Sequence, residues 1–218
     1  MQQNDLVKRY LLFIIGLFVN SVGVALITKA DLGTSPISSI PYALSLSFTP
    51  TLGQFTIIFS LLLIALQIYL EKRNFDKIQL LQIPVSIAFG YFIDFSMEYV
   101  VFWLRPEDYL QKLAALLVGC LVLGFGVYME VFANVVMLPG EGVVKSITRK
   151  YHTNFGTTKI CMDTTMAVAA LFLSVLLTQQ VQGVREGTLI AALLVGYISK
   201  CYGRIFAPVA RKILPSPC

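Results

Sequence analysis

Lys159 and Asp163 stand four residues apart in "GTTKICMDTTM" (156–166), at the head of an apolar run. On a helix that spacing puts both on one face, with Thr157, Thr158, Thr164 and Thr165 beside them. Lys before Asp is the weaker order for a local ion pair, so both groups stay available to a third party. Lys159 lies close enough to the end of the run to snorkel to an interface. Asp163 is about 10 Å in, at ~1.5 Å per residue, and its short side chain makes it the better candidate. Asp94 lies inside another apolar run, and Lys200 occupies the corresponding place in a later one. Facing each other they would form a buried pair, either structural or a proton- or substrate-linked switch. Ionisable residues inside membrane spans are costly and are functional candidates by default. Glu130 and Glu141 flank one break in the apolar sequence and Asp31 flanks another; they either couple cations or protons or only hydrate loop ends.

Enzyme chemistry finds no foothold. There is no GxSxG, no HExxH and no phosphate loop. His152 is the single histidine, and Cys120, Cys161, Cys201 and Cys218 show no CxxC spacing. We therefore expect no catalytic residues, metal, cofactor or disulfide. The net charge of +5 is spread among loops rather than gathered in a patch, so no nucleic-acid partner is expected. The partners expected are a small-molecule solute and the lipid bilayer; homo-oligomerisation is left open.

The elements that must position these groups are membrane spans. Of 218 residues, 56% are apolar and 13% charged, far from the quarter charged typical of soluble chains. A spanning helix needs roughly 20 apolar residues. Six stretches qualify: 8–28, 53–70, 78–103, 111–131, 156–179 and 187–208. Residues 1–28 superficially resemble a signal peptide, but the run is too long and belongs to a repeat, so it is expected to be retained. With six spans and the N-terminus inside, eleven loop Lys and Arg fall on the inner side and four on the outer. That asymmetry predicts an inner-membrane protein with both termini cytoplasmic.

An offset of 103 residues aligns Gly16 with Gly119, Gly23 with Gly126, Pro36 with Pro139 and Gly53 with Gly156. The chain then reads as two repeats, 1–104 and 105–218, within one membrane domain. Each holds three spans and a break. Three is odd, so the second repeat enters the bilayer from the opposite side. This is the inverted-topology arrangement of secondary transporters; duplication without alternating access is the plainer reading.

Each break begins at a Pro, which is preorganised for the first helical position. Short helices are predicted over 36–47 and 139–151, with Thr34 or Ser35 capping the first. They either reach membrane depth or lie flat at the two surfaces. Broken helices at matched places are the best sequence pointer to a substrate site, and helix N-termini favour anions. The candidate substrate-binding set follows. From the first break come Asp31, Gly33, Thr34, Ser35 and Pro36. The second contributes Asn134, Pro139, Gly140, Glu141 and Gly142, and the polar span beside it adds Thr157, Thr158, Lys159 and Asp163.

"ITKADLGTSPISSIP" (27–41) and "GTLIAALLVGYISK" (187–200) resemble the YczE/YyaS/YitT group of bacterial integral membrane proteins. "ADLGTSP" is the most specific part, and "LPGEG" (138–142) is similar to the second-half motif of a subgroup. Ile37 stands where members often carry an aromatic residue. The resemblance implies a six-helix inner-membrane protein with a transport role, and it supplies no substrate.

The expected fold is all-α and integral to the membrane. The expected function is a secondary transporter or exchanger for a small anionic or zwitterionic solute. A passive channel, a capture subunit of a separately energised transporter, and a membrane accessory or scaffold protein are the alternatives. Cysteines placed at positions 75 and 108 test the topology. A membrane-impermeant thiol reagent applied to intact cells should label 108 and spare 75; the reverse pattern removes the inverted arrangement.

Overall fold

The computed structural model describes residues 3–179 and 183–213, with side chains masked at a few of these; Cys218 and the C-terminal end lie outside the described residues. The chain is helical, with no strand among the described residues. Six helices are long and apolar enough to cross a membrane: Leu6–Lys29, Leu52–Glu71, Lys77–Val100, Tyr109–Ala133, Phe155–Thr178 and Glu186–Phe206. In chain order the α-helices are α1 (Gln3–Lys29), α2 (Pro36–Ser45), α3 (Leu52–Glu71) and α4 (Gln82–Phe95), then α5 (Tyr109–Ala133), α6 (Pro139–Tyr151), α7 (Phe155–Thr178) and α8 (Glu186–Ile213). The short helix α6 has the predicted bounds, whereas α2 stops at Ser45, two residues early. Pro41 lies inside α2; lacking an N–H, it removes one internal hydrogen bond and shortens what the helix can sustain.

Local signals at matched positions build matched elements. α1 and α5 are each followed by a left-handed residue five positions before the next Pro-led helix: Asp31 (φ 56°) and Asn134 (φ 48°). Asp and Asn tolerate that conformation better than most side chains. Pro36 and Pro139 then open α2 and α6. Thr51 caps α3 in a reciprocal box with Gln54, and Asn154, offset by 103 from Thr51, caps α7 by accepting from Gly156 N at 2.9 Å. The third span is composite. A 3₁₀ turn (Lys77–Leu81) leads into α4, and a π turn (Ser96–Val100) ends it, with Ser96 Oγ 3.1 Å from Ser21 Oγ of α1.

The centre is an antiparallel seam between α1 and α5, where small residues allow close backbone approach. A Cβ added at Gly23 would stand 2.5 Å from Leu123 N, and one at Gly126 would stand 2.5 Å from Asn20 N. Gly16 lies against Met129 and Glu130, and Gly119 against Ile27. Shifting by 103 converts the contact Gly23–Leu123 into Gly126–Asn20, and Gly16–Glu130 into Gly119–Ile27. Neighbour relations follow the same rule: α1–α4 matches α5–α8, α2–α7 matches α3–α6, and α2–α3 matches α6–α7. The largest departure lies at α3–α4. α3 packs on α4 through Gly53 and Gly90, whereas α7 and α8 make no comparable contact, and Gly196 of α8 faces open space.

The seam predicts a contrast between glycines. At Gly23 or Gly126 an Ala gains about 1 kcal/mol of helix propensity but forces overpacking that costs ~1–3 kcal/mol. Gly23→Ala and Gly126→Ala should therefore lower the unfolding midpoint in detergent, while Gly196→Ala should leave it unchanged or raise it.

Candidate functional site

At the second break the chain surrounds a cavity of about 250 Å³. The end of α5 supplies Glu130 and Asn134, one turn apart on one face. The first turns of α6 supply Glu141, Gly142 and Lys145, and the 3₁₀ turn and the start of α4 supply Asp76, Gln79 and Gln82. Glu130 is only 8% exposed, and its Oε1 accepts from Asn20 Nδ2 across the seam at 2.8 Å. Arg9 Nη1 donates to the Ala133 carbonyl at 3.2 Å, placing a cation at the C-terminal end of α5 where the helix dipole favours it.

The wall behind the cavity is an amide pair. Gln67 of α3 and Gln82 of α4 are fully buried and exchange hydrogen bonds of 3.0 and 3.2 Å. Gln67 Nε2 also donates to the Pro139 carbonyl at 3.1 Å. Pro139 therefore begins α6 against a fixed donor, and Gly142 leaves room for that donor, since a Cβ there would lie 2.5 Å from Gln67 Oε1. Glu141 sits in the first turn of α6. Burial raises its carboxyl above the ordinary range; Lys159 pulls it down and Asp163 pushes it up.

The first break is sealed. Lys112 Nζ binds Asp31 Oδ2 at 2.7 Å, and Arg185 Nη1 donates to the Asp31 carbonyl at 3.2 Å. Gly187 N donates to the Leu32 carbonyl at 2.8 Å, and Thr34 N to Thr188 Oγ1 at 3.2 Å. Gly33 has φ +113°, and a Cβ there would run into Thr188, so only glycine suits that turn. The capping expected of Thr34 or Ser35 does not occur: Thr34 Oγ1 pairs with Thr28 Oγ1 at 3.1 Å and Ser35 Oγ donates to Ser38 Oγ at 3.0 Å.

The two breaks do converge, but through hydrocarbon. Ile37 meets Gly140, where an added Cβ would lie 2.9 Å from Ile37 Cδ1. Leu63, Val143 and Met166 form the buried cluster around this contact. The starts of α2 and α6 therefore meet through Ile37 and Gly140, and Glu141 lies in the first turn of α6. Of the predicted set, Asn134, Glu141 and Gly142 line the cavity, while Asp31, Gly33, Thr34 and Ser35 lie in the sealed break. Lys159 and Asp163 bind each other at 2.9 Å, contrary to the expectation that their order leaves them available; partial burial strengthens a pair that is weak on a fully exposed helix. Thr158 is buried and pairs with Thr153 at 2.7 Å, and Thr157 is exposed.

Asp94 and Lys200 do not pair. Asp94 accepts from Thr51 Oγ1 at 2.6 Å and Gly53 N at 2.8 Å, and Lys200 lies exposed on α8. The N-terminal end of α3 offers a carboxylate free donors and a favourable dipole, which a distant ammonium cannot match. Asn20, Gln67, Gln82 and Lys145 belong to the site and were not singled out from sequence. The two glutamines had a signal: each is an amide within or beside an apolar run.

The comparisons with known proteins agree with a membrane protein. A sequence model described as a family of unknown function (DUF6198) matches residues 7–204. The chain is 28% identical over 197 residues to a protein of Bacillus subtilis (strain 168) described as an uncharacterized membrane protein, YczE, covering 90% of this chain and 86% of that one. No solved structure gives a significant match.

The placement of Asp94 sets a measurable asymmetry. Asp94→Ala abandons two donors at the start of α3 and should cost ~1–3 kcal/mol, whereas Lys200→Met should change the unfolding midpoint little. Equal losses for both substitutions would restore the Asp94–Lys200 pair.

Proposed function

This chain belongs to the DUF6198 family, and from that premise and the geometry of its two breaks we propose that it is a transporter. It carries a small solute across the bacterial inner membrane as a secondary transporter or exchanger. Its halves act as an inverted-topology repeat. The supporting observation is that matched breaks hold opposite states. Asn134, Val135 and Met137 line an open cavity, while their counterparts at offset 103, Asp31, Leu32 and Thr34, are tied to Lys112, Arg185, Gly187 and Thr188. Halves that exchange conformations would open the sealed side and seal the open one, which is alternating access. Loop charges put both termini and the open cavity on the cytoplasmic side.

The seal is weak enough to reverse. An exposed ion pair such as Asp31–Lys112 contributes about 0–1 kcal/mol, and each remaining hydrogen bond about 1 kcal/mol net. The sum keeps an alternate state within a few kcal/mol, the range in which a solute can shift populations.

Reciprocal labelling tests the exchange. In a cysteine-free background, Ser35→Cys should react slowly from the periplasmic side and Asn134→Cys readily from the cytoplasmic side. Adding Asp31→Asn keeps a residue suited to the left-handed turn but removes the ion pair. It should speed labelling at Ser35→Cys by up to about five-fold, as 1 kcal/mol implies, and slow labelling at Asn134→Cys. A rise at one site with no fall at the other would mean a loose loop and end the alternating-access reading.

A further inference from the structure

We propose that the cavity at the second break binds the ammonium group of its solute, with Glu130 and Glu141 as the anionic partners and Lys145 at the mouth receiving a solute carboxylate. The solute is then an amine-bearing zwitterion rather than an anion. This deepens the transport reading, resting on it only for what happens to the solute after binding.

The state of the two acids carries it. Glu130 is 8% exposed, yet only its Oε1 is engaged, by Asn20; no other donor among the described residues reaches it. Glu141 has no hydrogen bond or ion pair among the described residues, because Lys159 beside it is committed to Asp163 at 2.9 Å. Glu130, buried, and Glu141, half-buried, face one cavity with no ion pair among the described residues, and a buried charge is costly unless it is paired. An incoming ammonium, with three donors, relieves both.

The fold does not require these charges. At offset 103 the counterparts of Glu130, Glu141 and Lys145 are Ile27, Ser38 and Tyr42, so the sealed break is built without them. The cavity's size also selects. At about 250 Å³ it lies below the ~300–1,000 Å³ of sites for drug-sized ligands, which suits a short-chain solute. Among the described residues no three His, Cys, Asp or Glu side chains gather as a metal site, which favours an organic cation over a metal ion. Lys145 is exposed and forms no ion pair among the described residues. Its position one turn beyond Glu141 on α6 puts positive charge next to the acids, so the two ends of a zwitterion meet opposite charges.

Matched probes separate the ends: butylammonium, butyrate and 4-aminobutyrate, added to the purified full-length protein in detergent, with thermal stabilisation as the readout. Butylammonium and 4-aminobutyrate should raise the midpoint and butyrate should not. Glu130→Gln and Glu141→Gln should each weaken apparent affinity for both amines roughly ten-fold or more, the value of one charge-assisted hydrogen bond. Lys145→Gln should remove only the advantage of 4-aminobutyrate over butylammonium. Stabilisation by butyrate alone, equal shifts in wild type and both acid variants, or no shift with any probe overturns the assignment. If amines bind but labelling at Ser35→Cys and Asn134→Cys fails to change reciprocally, the site stands and the transport reading falls. If labelling reciprocates and no amine binds, the transport reading stands and this site assignment falls.

Discussion

Everything in this protein hangs on the close approach of α1 to α5. Between lipid-facing helices there is little hydrophobic driving force, so association relies on backbone proximity and on hydrogen bonds that water does not contest. Gly16, Gly23, Gly119 and Gly126 supply the proximity, and Asn20 with Glu130 supplies the hydrogen bond. Because the seam is antiparallel, the ends of α1 and α5 emerge on opposite sides. Each helix is followed by a left-handed residue, and five positions later a proline starts a short helix. The position of both breaks follows from where the seam ends.

Departures from the 103-residue correspondence concentrate the chemistry. The buried polar groups Glu130, Gln67 and Gln82 all lie around the second break, while Ile27 occupies the place matching Glu130. The first break spends its polar groups on itself: Asp31, Thr34 and Thr188 are bonded within the seal. A polar group bonded to protein shapes the fold; one left facing a cavity can take up a guest.

The sequence was most informative where chemistry is local. Runs of apolar residues marked six spans, Pro36 and Pro139 marked the starts of both short helices, and repeated glycines marked the repeat offset. It was least informative where partners are remote. Asp94 and Lys200 occupy corresponding places in GYFID (90–94) and GYISK (196–200), but correspondence relates equivalent places, not touching ones. Gln67 and Gln82 sit fifteen residues apart on two helices, and no local pattern shows that they face each other. The order of Lys159 and Asp163 argues against a pair on an exposed helix, a rule that weakens where the pair is partly buried. The convergence of the breaks was legible; that Ile37, Leu63, Val143 and Met166 would fill the meeting point was not, since a cluster drawn from four helices leaves no periodic trace.

The gap between α7 and α8 carries a consequence for how opening energy is distributed. In the first half α3 and α4 brace each other; in the second, α8 leans on α5 and α7 leans on α2 and α6. Local opening costs least where buried contact is sparse. The resistance of backbone amides to exchange with solvent deuterium should therefore be graded, greatest in α1 and α5 and least in α8, with α7 below its counterpart α3. The frame is the α1–α5 seam, with one helix from each half, and α7 and α8 pack around it without bracing each other.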